Sequence, residues 1–244
     1  ASFRGRILRA SGGRVLVAQQ SSAAAKHTDR LRVSKIASVS LRTETVEWAV
    51  DVDPESTVFA IGSEWIGILE ITGQLQILDC VTGKRVSSLT VQRPEQIRAV
   101  HVSSDASGYT IALADSAESA FLRGRSAGGG ARNPAVTGHL LAIDARTAAL
   151  KWQRPVDRIQ FLLDQPKNAP CIVLSYRRSR SSGTEAFESV LHVINRETGE
   201  DILKRHGTGS ASAFTFEPHA DQHRLSIRMA RKSIRLTFEP RQTP

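Results

Sequence analysis

The side chains best suited to chemistry in this chain are few and widely spaced. His219-Ala-Asp221-Gln-His223 brings three potential metal donors close together in sequence. They fall in a hairpin turn, where two histidines four apart do not share the face a helix would give them. The stretch reads as a polar turn, and no metal ligand is assigned. His101, His139 and His192 stand singly on strand-like stretches and read as packing or surface residues. Serines are abundant, yet none sits in the Gly-x-Ser-x-Gly setting that exposes a nucleophile on a strained turn. No Ser–His–Asp arrangement emerges, and no catalytic residue is assigned.

Arginine offers more. One stretch contains Arg123, Arg125 and Arg132 around a triple glycine, and another contains Arg177, Arg178 and Arg180 before Ser181-Ser182-Gly183. Such segments bury little apolar surface, and guanidinium groups hold carboxylates or phosphates through paired hydrogen bonds. The glycines are not a phosphate loop, because the lysine and the strand–helix context are missing. Trp65 opens a strand-like run to Ile71 within a connection, and it is the aromatic residue expected to contact a partner. The expected partner-binding set is therefore Arg123, Arg125, Arg132, Arg177, Arg178, Arg180 and Trp65. No aromatic residues interleave with these arginines, so stacking on single-stranded nucleic acid is not supported.

Composition bounds what must carry these residues. With 244 residues, 40% of them hydrophobic, the chain can bury a sizeable core without disulfides. No apolar run approaches the roughly 20 residues that span a bilayer. No secretory leader opens the chain. Ala1-Ser2-Phe3 runs almost directly into a strand-like stretch, as expected of a processed or excised chain with an upstream part. Cys80 and Cys171 fall at unrelated places, so a disulfide is not expected and the compartment stays open. The net charge of +9 could draw nucleic acid, anionic lipid or an acidic protein. The basic residues are scattered, however, and arginine outnumbers lysine, which points to genomic composition rather than a polyanion tract.

The positioning elements show themselves as a repeat. Leu75–Lys84, Leu140–Trp152 and Leu191–Glu200 each read as a strand, a turn and a second strand, and Ile36–Trp48 is a worn first copy. Aligning Thr43, Thr82, Thr147 and Thr198 gives spacings of 39, 65 and 51 residues. Alternating apolar residues such as Leu75 and Ile77 predict a half-buried strand. Asp79, Asp144 or Asn195 then offers an oxygen to the backbone N–H groups ahead of it, an Asx turn. Gly83 and Gly199 supply positive φ. Another hairpin precedes each copy: Arg6–Ala10 with Val15–Ala18, Ala49–Val52 with Val58–Ile61, Ile97–Val102 with Tyr109–Ala114, and Ile159–Leu163 with Ile172–Tyr176. A fifth unit begins at Phe214-Thr-Phe216 and runs through Leu225–Met229 to Phe238. The nearest approach to a helix, Ser21–His27, is too short and lies in a loop.

Each unit thus holds four short strands, A to D. Repetition of such a sheet predicts an all-β, β-propeller fold as one domain over 1–244. Its blades are 3–48, 49–90, 97–153, 157–204 and, lacking strand D, 213–240. The B–C connections read as long in all four full units, at about 19–35, 63–72, 115–137 and 177–189. In a propeller they emerge on one face.

The copies resemble the quinoprotein-type (PQQ-like) repeat. Gly138-His-Leu-Leu-Ala-Ile-Asp-Ala-Arg-Thr-Ala-Ala-Leu-Lys-Trp152 departs from that pattern only where Ala148 replaces a glycine, and Gly73–Gly83 matches but lacks the tryptophan. The resemblance implies a portion of a ring of about seven or eight blades. The remaining blades would come from an upstream segment or a second chain, the other reading being an unusually small ring. It also implies that Trp48 and Trp152 pack between blades, and it hints at an extracytoplasmic place.

Function follows less directly. A propeller face displays loops on a stiff base, so the expectation is a non-catalytic scaffold that presents Arg-rich loops to a protein partner, without a cofactor. One alternative is a fragment of a quinone-cofactor dehydrogenase, which would need clustered acidic calcium ligands that the sequence does not present. The other is polyanion or nucleic-acid binding, with affinity that falls steeply with salt.

Overall fold

A computed structural model describes residues 5–20, 33–92, 97–105, 108–115, 135–161, 169–179, 187–208, 214–219, 224–229 and 232–238. Among them the chain is all-β, in up-and-down antiparallel sheets of the β-propeller class. It divides into two compact units, one of residues 1–97 with 146–149, the other of residues 98–145 with 150–244. No helix of the described residues is long and apolar enough to cross a membrane.

The first unit holds two four-stranded sheets. One orders β1 (Gly5–Ser11), β2 (Arg14–Gln20), β3 (Val33–Ser40) and β4 (Val46–Asp51). The other orders β5 (Thr57–Ile61), β6 (Trp65–Leu69), β7 (Gln74–Asp79) and β8 (Arg85–Thr90). Between them lies a core of Leu16, Ala18, Ile36, Ile66, Ile68 and Leu78, flanked by Trp48, Val50 and Val58.

The second unit holds β9 (Ala99–Asp105), β10 (Gly108–Ala114), β11 (Ala135–Asp144), β12 (Leu150–Phe161), β13 (Cys171–Ser179), β14 (Phe187–Asn195) and β15 (Asp201–Thr208) in one seven-stranded ladder. Strand β12 serves two blades. It pairs with β11 from Leu150 to Gln160, and its end, Ile159, Gln160 and Phe161, pairs with β13 on the other side. Arg158, at φ 49°, lies in the register irregularity between Val156 and Ile159. The last sheet orders β16 (Phe214–His219), β17 (Arg224–Met229) and β18 (Lys232–Thr237). Leu140, Trp152, Phe161, Ile172 and Ile194 fill one core, and Val173, Leu191, Val193, Leu225 and Ile227 fill another.

The corners at Asp79 and Asn195 close as the sequence predicts, and the first corner closes through Ser40. Asp79 Oδ1 accepts from the N–H groups of Val81 (2.9 Å) and Thr82 (2.6 Å) and from the Thr82 hydroxyl (2.9 Å). Asn195 Oδ1 accepts from Glu197 (2.8 Å) and Thr198 (3.2 Å), and Ser40 Oγ from Thr43 (3.3 Å). In all four corners the third strand is irregularly paired with the fourth, at Ser38/Val39, Ile77/Leu78, Ala142/Ile143 and Val193/Ile194. The apolar interfaces, at about 1.5–3 kcal/mol per buried side chain, outweigh turn bonds of about 1 kcal/mol each. Burial therefore holds the sheets together, and the turns set their register.

The second sheet differs from the sequence reading by one strand. Ala49–Asp51 continues β4, through Val50 opposite Ile36 and Asp51 opposite Lys35. The Asp53–Ser56 turn therefore links two blades, with Asp53 O accepting from Ser56 N–H at 2.9 Å. The first blade ends at 51 rather than 48. The expected long connection at 63–72 is strand β6 and a tight turn, in which Gly73 N–H donates to Glu70 O at 3.0 Å. The five residues Trp65–Leu69 are all buried, with Ile66 and Ile68 in the core shared with the first sheet.

Candidate functional site

The corner joins one sheet to the next through an indole. Gly83 lies beneath Trp48 of β4, and Gly199 lies beneath Trp152 of β12. A Cβ at either glycine would come within 2.6 Å of the ring. Positive φ alone does not explain these glycines, because Glu44 and Ala148 adopt φ 56° at the same corner position. The aligned sites show the reason. Glycine stands where the preceding fourth strand carries tryptophan. Where β8 carries Ser87 at the tryptophan position, the next corner carries Ala148. The glycine thus provides clearance for a ring.

Charged groups converge on the same corner in the second unit. Trp152 Nε1–H donates to Arg196 O at 2.8 Å. The Arg196 guanidinium, 6% exposed, donates to Ala169 O and Cys171 O, both at 3.0 Å. Lys151 Nζ meets Glu197 at 3.0 Å and Asp144 at 3.8 Å. Arg154 donates to Gly199 O at 2.6 Å and to Asp201 Oδ1 at 2.7 Å, and His192 Nε2 lies 2.8 Å from the same oxygen. The Arg154 hydrogen bond foremost, opposed by partial burial, holds the Asp201 carboxyl below its ordinary range, with help from His192. These groups clamp adjacent strands together. Burial pushes the Cys80 thiol up to about 11 and the Cys171 thiol up to about 12, and both cysteines are free.

The expected partner residues divide three ways. Arg123, Arg125, Arg132 and Arg180 lie outside the described residues, as do Asp221 and His223 and the stretch Ser21–His27. Arg177 and Arg178 lie at the end of β13, their backbones opposite Ser189 and Glu188. Trp65 is corrected: it sits on β6 opposite Ile61 and Asp79, 8% exposed, and offers no open ring face to a partner. Its apolar neighbours mark a core strand rather than a loop. His192 is buried against Asp201. His101 has its pKa lowered by burial.

One charged surface escaped the sequence reading. Residues directly opposite on paired strands share a face, so Glu217, Ser226 and Arg235 form a row across β16, β17 and β18. Arg224 and Arg228 flank Ser226 along β17. These residues and Ser233 line a hollow of about 260 Å³. Arg228 pairs with Glu217 at 3.0 Å. The other face of the same sheet buries Leu225 and Ile227, with Ile234 and Leu236 against the same core. The signal was present as period-two alternation, with Arg224, Ser226 and Arg228 on one side and Leu225 and Ile227 on the other.

No family profile and no curated protein matches the chain. Among solved structures it is similar to hydrazine synthase of Kuenenia stuttgartiensis at 10% identity, covering 88% of this chain and 52% of that one, with a TM-score of 0.40. It is similar to quinohemoprotein alcohol dehydrogenase of Comamonas testosteroni at 12% identity, covering 89% and 38%, with a TM-score of 0.40. It is also similar to BamB of Moraxella catarrhalis at 15% identity, covering 93% and 74%, with a TM-score of 0.30. The chain spans about half of the first of these and less than that of the second. At these scores the likenesses carry nothing about activity.

Proposed function

We propose that the chain is a non-catalytic binding module of the quinoprotein-type repeat class, whose stiff sheets hold connecting loops for a protein partner. One observation supports this reading above others: the polar residues of the repeat are engaged in holding sheets together. Asp79 and Asn195 close turns, Arg196 ties a corner to β13, and Arg154 and Lys151 bridge to the neighbouring strand and corner. That leaves recognition to the connections between second and third strands, at 21–32, 116–134 and 180–186.

Neither a quinone nor calcium is part of the proposal. Among the described residues no three His, Cys, Asp or Glu side chains gather as a donor set. The repeat Asp79 and Asn195 oxygens are spent on backbone N–H groups. The described residues therefore do not fit that cofactor.

Deletion of Arg123–Arg132 tests the reading. The expected result is an unchanged melting temperature and a several-fold loss of partner recovered from native lysate. Equal recovery of the same partners by both forms would remove that loop from the interface.

A further inference from the structure

We propose that the polar face of β16–β18 binds the terminal phosphate of a phosphate monoester, held over Ser226 by Arg224, Arg228 and Arg235. The inference goes beyond the preceding reading, since it uses a sheet face and not the connecting loops.

This face differs in kind from those of the other sheets. All five residues of β6 and all seven of β10 are buried. Strand β17 holds the same second place in its sheet, yet only one side of it is apolar. Leu225 and Ile227 turn into the core, while Arg224, Ser226 and Arg228 line the hollow on the opposite side. Pairing with β18 sets Arg235 opposite Ser226 and Ser233 opposite Arg228. An apolar surface laid over this face would strip water from the guanidinium groups and return nothing for it. The face therefore suits an anion.

The charges decide which anion. The hollow of about 260 Å³ is lined by Arg224, Arg228, Arg235, Ser226, Ser233 and Glu217. Arg228 donates to Glu217 at 3.0 Å. Among the described residues Arg224 and Arg235 meet no carboxylate. Three arginines against one glutamate leave the lining with a net charge of +2. A single carboxylate would balance only half of it. A phosphate monoester carries about −1.5 to −2 at neutral pH. Its terminal oxygens accept paired N–H bonds from guanidinium forks.

The spacing agrees with one tetrahedral group. Arg224 and Arg228 start about 13 Å apart along β17, on either side of Ser226. Arg235 approaches from the neighbouring strand. Ser226, 6% exposed, forms the floor between them. A phosphate seated there is met by guanidinium groups from three sides, and the two serine hydroxyls can donate to it. Glu217 competes with the ligand for Arg228, so its removal sharpens the test.

The test is calorimetric titration of the full chain with O-phospho-L-serine at low ionic strength. The account expects saturable binding at a single site. Arg235→Ser should weaken it roughly tenfold with an unchanged melting temperature. Glu217→Gln should strengthen it several-fold. Arg85→Ser removes the same charge from exposed β8 and should leave binding unchanged. A phosphoserine peptide tells the sources apart. Tighter binding than the free amino acid marks a phosphorylated protein segment, and equal or weaker binding marks a small phosphate ester; both uphold the site. Four results would overturn the proposal: no saturable binding; equal binding of L-glutamate, which marks a site for any anion; equal weakening by Arg235→Ser and Arg85→Ser, which marks net charge alone; or binding that Glu217→Gln does not strengthen. Deletion of Arg123–Arg132 leaves phosphoserine binding unchanged if the two surfaces are separate, so failure of one reading does not carry the other with it.

Discussion

Replacing Gly199 with alanine isolates the contact that joins successive sheets in the second unit. The new Cβ would lie 2.6 Å from Trp152 Cδ2 and 2.9 Å from both Cε3 and Cγ. Real carbon contacts need about 3.5 Å or more. The indole cannot retreat freely, because it is 8% exposed and its N–H is bonded to Arg196 O. Overpacking of this kind costs about 1–3 kcal/mol. The left-handed backbone adds about 1–2 kcal/mol, and the stiffer unfolded chain returns about 0.5 kcal/mol. Together these give a loss of about 2–4 kcal/mol, or roughly 5–15 °C in melting temperature for a chain of this size. The ring term is separable by a double-mutant cycle in urea. In a Trp152→Leu background Gly199→Ala should cost only the backbone part, leaving a coupling of about 1–3 kcal/mol. Ala148 at φ 56° shows that alanine is tolerated at such a corner. Equal costs in both backgrounds would refute the idea that clearance for the indole selects glycine.

Other outcomes follow from the same geometry. Asp79→Ala removes the acceptor of three hydrogen bonds and should cost about 1–2 kcal/mol by urea unfolding, with Asp79→Asn recovering most of it. Arg196→Met strips partners from Ala169 O and Cys171 O and should cost about 2–3 kcal/mol; a loss below about 0.5 kcal/mol would mean that both carbonyls find other donors. Because the Asp201 pKa is lowered in the fold, its contribution is present above the unfolded value near 4 and is lost as pH falls through the folded value. The stability gap between wild type and Asp201→Asn should be present at about pH 5 and narrow below about pH 4. A gap that does not narrow at all as the pH falls below about 4 would contradict that linkage.

The corners were legible in the sequence because their chemistry is local. An oxygen at Asp79 or Asn195, a threonine three residues on and a following glycine specify the turn without knowledge of its surroundings. The glycine–tryptophan relation was only half legible. Both residue types stood out, but their dependence on each other runs between sheets, 35 residues from Trp48 to Gly83 and 47 from Trp152 to Gly199. The second blade was misphased because Ala49–Asp51 suits two strands equally. Only its pairing with Lys35–Ala37 decides the matter, and cross-strand pairing is not written in one strand's residues. Trp65 was misplaced for a related reason. A continuous apolar run such as Trp-Ile-Gly-Ile-Leu lacks the alternation that announces a half-exposed strand. Among the expected arginines, Arg177 and Arg178 fall on β13, while Arg224 and Arg228 alternate on β17 and only strand pairing brings Arg235 to their face.

The most direct measurement of the central claim is the proton chemical shift of the glycine α-hydrogens. A glycine pressed against an indole face should be displaced upfield, so Gly83 and Gly199 should both be displaced. Gly12 and Gly13, with no atom within 4 Å of a Cβ position, provide the reference. Trp48→Leu should return Gly83 alone to the ordinary range, and Trp152→Leu should return Gly199 alone. Ordinary shifts for Gly83 and Gly199 in the unaltered chain would contradict it, because the sheets would not then meet at these corners.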